Sequence, residues 1–166
     1  MVNLRMARLR SLVLILCAMI TVPASAVELK LNKGDHVVLI GNTLAERFQY
    51  FGYFESLLHK EFADLDLVVR NQGYCGDEVR FRPRSLDFGT PESHLTAAEA
   101  DVILAFFGFN ESFKGQAGLN EYRQELQAFI DDTRAQKYNG QSAPVIVLLS
   151  PIAVEDLGTR DLPDGS

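Results

Sequence analysis

Residues 37–40 (Val-Val-Leu-Ile), 67–70, 101–107 and 145–149 are short runs dominated by β-branched and aliphatic side chains. Their length fits strands, and runs so continuously apolar suit strands covered on both faces. After the first run, Leu44, Phe48, Phe51, Phe54, Leu58 and Phe62 recur every three or four positions, which predicts one amphipathic helix. Asn42 is placed to cap it, and Glu46 suits the positive end of its dipole. Residues 95–100 predict a short helix. Leu119, Tyr122, Leu126, Phe129, Ile130 and Thr133 predict a further amphipathic helix, broken at Tyr138-Asn139-Gly140. Core packing accounts for the aromatic residues of both long helices. No internal repeat or low-complexity segment interrupts the pattern.

Apolar strands alternating with amphipathic helices predict an α/β fold with a parallel sheet covered on both faces. Functional loops in such sheets lie beyond the carboxyl ends of the strands. Here those ends are Gly41-Asn42-Thr43, residues 71–77, residues 108–112 and Ser150-Pro151, and the unusual glycine and polar residues gather there. Between the second strand and the short helix, residues 80–91 have no period. Arg80, Arg82 and Arg84 read there as a solvated basic loop, with contact to an acidic substrate group as the alternative.

Composition narrows the class. The chain has 166 residues, 47% hydrophobic and 23% charged, as expected of one soluble globular domain with a real core. A formal charge of -6 argues against a nucleic-acid partner, because phosphate binding needs a basic face. The N-terminus departs from the rest. Arg5, Arg8 and Arg10, an apolar run over 11–22 and Ala24-Ser25-Ala26 have the order of a cleavable signal peptide over 1–26. The run is too short to span a bilayer comfortably. Leu16 is too large for a lipoprotein signal at Cys17. Cleavage leaves residues 27–166, exported to the periplasm or secreted, with no stable membrane insertion. Cys75 is then the single cysteine, which excludes an internal disulfide and reads as a small buried hydrophobe.

Acyl transfer needs a hydroxyl at a sharp turn beside a helix N-terminus, with N–H donors around the developing oxyanion. Thr43 is such a hydroxyl. Gly76 brings an N–H without a side chain in the way, and Asn110 supplies an amide from the next strand end. In these segments the chain resembles the SGNH hydrolases, or GDSL family. Ile40-Gly41-Asn42-Thr43-Leu44 is similar to the first block, usually Gly-Asp-Ser-Leu. Asn71-Gln72-Gly73-Tyr74-Cys75-Gly76-Asp77 is similar to the second, and Gly108-Phe109-Asn110-Glu111 to the third. The resemblance runs from about Gly34 to Pro151. It implies a flavodoxin-like three-layer α/β/α sandwich, hydrolysis of small-molecule or carbohydrate esters, and neither metal nor organic cofactor. It puts Thr43 at the nucleophile position and Gly76 and Asn110 in the oxyanion hole. Asn42, Gly73 and Glu111 stand beside them as substrate-binding residues.

The chain departs from the family in three places. Thr43 replaces serine, and its methyl restricts χ1 and crowds a carbonyl. Glu111 replaces aspartate. No Asp-x-x-His block follows: the residues around Asp161 and Asp164 include no histidine, which implies a domain incomplete at its C-terminus and inactive by itself. His36 precedes the first strand and His59 lies well along the first helix, so His94 alone is placed to be tested as a base. No His/Cys/Asp/Glu set has metal-ligand spacing. The plainer readings are a helix cap for Thr43, turn glycines for Gly73 and Gly76, and a self-bonded loop residue for Asn110. Two other functions fit the pattern: a degenerate module binding a glycan or acyl ligand, and a flavodoxin-like domain holding a phosphate-bearing cofactor. The last ranks lowest, because no glycine-rich phosphate loop follows the first strand.

Overall fold

The computed structural model describes residues 28–153. The expected signal peptide, Cys17, Asp161 and Asp164 lie outside them. The described fold belongs to the compact unit that begins at Leu31. Four strands form one all-parallel sheet: β1 (His36–Gly41), β2 (Val68–Asn71), β3 (Val102–Phe106) and β4 (Val145–Leu149), in the order β2-β1-β3-β4. β1 is central, pairing Val37 with Val69 on one side and with Val102 on the other. β4 joins β3 in register, Val102 opposite Val145 and Phe106 opposite Leu149.

Alternation of side chains along β1 and β3 divides the core in two. Val37, Leu39, Val102, Leu104 and Phe106 pack against Leu44 and Phe48 of α1 (Thr43–Phe51) and Phe54 and Leu58 of α2 (Tyr53–Glu61). Val38, Ile40, Ile103 and Ala105 pack against Leu95 of α3 (Pro91–Ala97) and against Tyr122, Leu126 and Phe129 of the long helix Gly115–Arg134. That long helix is α5; α4 is the single turn Phe109–Ser112. Helices therefore cover both faces, and the architecture is compatible with a flavodoxin-like fold.

Four sequence expectations change. The single helix expected from Leu44 to Phe62 is two, because Gly52 takes a left-handed conformation with φ 61 and closes α1 through its N–H to the Phe48 carbonyl. Phe51 and Phe62 consequently miss the core and are exposed. The short helix starts earlier, at Pro91, where Thr90 and Ser93 form a reciprocal cap and proline takes the first turn. Residues 109–112 form a helical turn rather than open loop. Finally β4, expected to be buried on both faces, leaves Val145 47% and Leu148 45% exposed. It pairs on one side only among the described residues, so a fully apolar run does not by itself show that both faces are covered.

Candidate functional site

The carboxyl edge of the sheet is built from the β1–α1 turn upward. Gly41 is buried with φ 118, and a Cβ there would collide with the Phe106 carbonyl of the neighbouring strand. That carbonyl accepts the Asn42 N–H at 3.0 Å. Asn42 is 4% exposed, and its Oδ1 caps α1 by accepting the Leu44 N–H at 3.0 Å. The cap expected of Asn42 is therefore formed, and it engages the carboxamide oxygen. Thr43 opens α1, and its Oγ1 donates to the Cys75 Sγ at 3.3 Å. As a first-turn residue its N–H has no partner within the helix.

The loop after β2 runs beside the same turn. The Gln72 N–H reaches the Leu39 carbonyl at 2.8 Å and the Tyr74 N–H reaches the Gly41 carbonyl at 2.9 Å. Gly73 lies against α1, where a Cβ would strike the Glu46 nitrogen and Ala45. Asn71 secures the approach: its Nδ2 donates to the Ala45 carbonyl at 2.6 Å and its Oδ1 accepts the Gly73 N–H at 2.9 Å. A turn then closes from the Asp77 N–H to the Tyr74 carbonyl at 3.1 Å, with Gly76 at φ 84. The Gly76 N–H has no hydrogen-bond partner among the described residues. Cys75, expected to be buried, is exposed on this turn, where its contact is with the Thr43 hydroxyl at the start of α1.

Behind the turn, Glu111 joins two loops. Its Oε1 accepts the Val79 N–H at 2.9 Å, its Oε2 accepts the Gly108 N–H at 3.0 Å, and it is 6% exposed. Both oxygens of this expected substrate-binding residue are therefore occupied by backbone donors. Its observed contacts hold α4, and with it Asn110, against the segment that carries Gly76. The Asn110 side chain is half-buried and makes no hydrogen bond among the described residues. Its neighbour Phe109 shares a cavity of about 250 Å³ with Thr43, Leu44, Arg47, Phe106 and Ile152. The cavity is mainly apolar, with Arg47 as its charged wall.

The histidines are elsewhere. His36 Nδ1 lies 2.7 Å from the Ala98 carbonyl, at the amino end of β1. His59 on α2 faces Glu55 at 3.8 Å. His94 on α3 has its Nε2 2.8 Å from the Phe88 carbonyl and lines another cavity, together with Gly73. No described histidine shares the Thr43 cavity. Among the described residues no group of His, Cys, Asp and Glu is arranged to hold a metal, and no helix is long and apolar enough to cross a membrane.

Arg80 and residues 85–90 of the basic segment are exposed, as expected of a solvated loop, but Arg82 and Arg84 are half-buried. Arg84 holds the buried Asp77 with two bonds of 2.6 and 2.9 Å and stacks over Tyr74, 4.0 Å from the ring centre. Arg82 lies over Phe107 at 4.7 Å, and burial lowers its pKa from the ordinary arginine value. Sequence spacing carries no signal for this ion pair, since its partners sit seven residues apart in an irregular segment.

Together these features define an α/β protein whose glycine turns and hydrogen-bond donors converge at the carboxyl edge of a parallel sheet. No protein-family model, no curated protein and no solved structure matches the chain.

Proposed function

We propose that this chain carries an exported SGNH hydrolase-like site acting on acyl or carbohydrate esters, with Thr43 at the nucleophile position. The observation that supports this most is local. The Thr43 hydroxyl stands at the N-terminus of α1, bonded to the turn that carries Gly76 and beside an apolar cavity able to take an acyl group. The strand order β2-β1-β3-β4 agrees with the first four strands of a flavodoxin-like sandwich. Export rests on the sequence of residues 1–26.

In this reading Thr43 Oγ1 attacks the ester carbonyl and passes its proton to a base. The carbonyl oxygen becomes an oxyanion facing the Thr43 N–H, the Gly76 N–H and the Asn110 amide. Collapse expels the alcohol, which takes up a proton, and water then releases the acid and restores the threonine. None of His36, His59 and His94 lines the Thr43 cavity, so in this reading the base is supplied from outside the described residues.

That separation, with the crowding methyl of Thr43, favours a second reading: a non-catalytic module that holds a glycan or acyl ligand in the same cavity. A fluorophosphonate probe on the full-length protein distinguishes them. The enzyme reading expects labelling that maps to Thr43 and vanishes in Thr43→Val, and a loss of about 10²–10³ in kcat with p-nitrophenyl acetate in Asn110→Ala. Absence of labelling, with retained binding of a short acyl ester, establishes the module instead.

A further inference from the structure

A second cavity, of about 320 Å³, opens on the other face of the sheet and shares no lining residue with the one at Thr43. Ile40 and Leu95 form part of its wall, Tyr74 and Phe88 supply aromatic surface, and Arg82 and Arg84 supply charge. The two arginines differ in what they hold. Both terminal nitrogens of Arg84 are engaged with Asp77. Arg82 donates through Nε to the Glu78 carbonyl at 3.0 Å, and no carboxylate forms an ion pair with it among the described residues.

Its terminal Nη atoms have no hydrogen-bond partner within the described fold, while the Phe107 ring and the Glu78 carbonyl fix the plane of the guanidinium. Arg82 is half-buried, and proteins ordinarily pair a cation that is partly withdrawn from water. The chain has ample means to do so, with 22 acidic residues against 16 basic ones. Asp77, Glu92 and Glu111 all act on Arg82 through space, yet none bonds to it. Arg82 also borders a neighbouring depression whose wall includes Glu92 and Asp132, which would repel an anion. The cavity beside Tyr74 and Phe88 has no acidic residue in its lining, so the free guanidinium is matched to an anion on that side.

We infer that this cavity binds a small organic carboxylate, its two oxygens on the Nη atoms of Arg82 and its apolar body against Tyr74 and Phe88. A carboxylate suits a planar guanidinium in two-point contact. A single unpaired cation suits a monoanion better than a phosphate dianion. The mostly apolar wall supplies contact for a hydrocarbon or ring that a mineral anion lacks.

Calorimetric titration of the full-length protein with benzoate, benzamide and inorganic phosphate tests this. Benzoate is expected to bind saturably, with benzamide, its neutral counterpart, and phosphate each at least about 10-fold weaker. Arg82→Gln should weaken benzoate by a similar factor, and Thr43→Val should leave it unchanged. If Arg82→Gln fails to fold by circular dichroism, Phe88→Ala replaces it; that ring is half exposed, and its loss should weaken benzoate about 3-fold or more. No benzoate binding, equal binding of benzamide, or tighter binding of phosphate would overturn the assignment. So would benzoate affinity that is untouched in the folded variant.

Discussion

At Gly41 the chain leaves β1 with φ 118, and the space where a Cβ would lie is filled by the Phe106 carbonyl. Conformation and close approach both demand glycine, so Gly41→Ala is expected to cost about 2–4 kcal/mol, read as a lower urea midpoint. A loss below about 0.5 kcal/mol would show that the turn relaxes freely. This residue and the Asn42 cap were legible in the sequence, because both act on atoms within a few positions of themselves or at a strand end. Cys75, Arg82 and Arg84 were not. Whether an irregular segment buries its side chains depends on Asp77, Glu78 and Phe107 meeting it in space, and no local period encodes that meeting.

Among elements, the carboxyl edge depends on a clamp between loops. Glu111 accepts N–H groups from Val79 and Gly108 and thereby ties the segment after β2 to α4. Glu111→Gln keeps the shape but replaces one acceptor with a donor facing a backbone N–H. It should destabilise the fold by about 2 kcal/mol and expose the amides of Val79 and Gly108 to faster hydrogen exchange. Unchanged exchange at both amides would remove the clamp from the account. The position was singled out in the sequence from its place beside Asn110, but its observed contacts are with backbone. The helix over 44–62 shows the converse limit. Its apolar period was correct for Leu44, Phe48, Phe54 and Leu58, and the break at Gly52 hid inside that period because glycine interrupts a helix without interrupting a pattern of spacing.

At the scale of the whole molecule, two cavities lie on opposite faces of one sheet, the Thr43 cavity toward α1 and the Arg82 cavity toward α3. Stability at high pH is also a property of this scale. Burial raises the pKa of Tyr122 and of Tyr138 above the ordinary 10.0, both on the α3–α5 side of the core. The folded state therefore favours their neutral forms. The associated stability is complete below the unfolded value and is lost as pH rises through the higher folded one. Tm should fall between about pH 9 and pH 11, and less steeply in Tyr138→Phe, which keeps the ring and removes the titration. Parallel falls in parent and variant would exclude Tyr138 as a contributor.

By itself the sequence determined the α/β class, the four strands to within a residue or two, and the four segments that follow their carboxyl ends, since hydrophobic period and glycine placement are local properties of a chain. The tertiary structure alone decided that β1 lies at the centre and β4 at the described edge of the sheet, that Thr43 meets Cys75, that His94 faces a different cavity from Thr43, and that Arg82 has no carboxylate bonded to it. Each of these is a relation between residues distant in sequence, set by how the helices pack on two faces of one sheet.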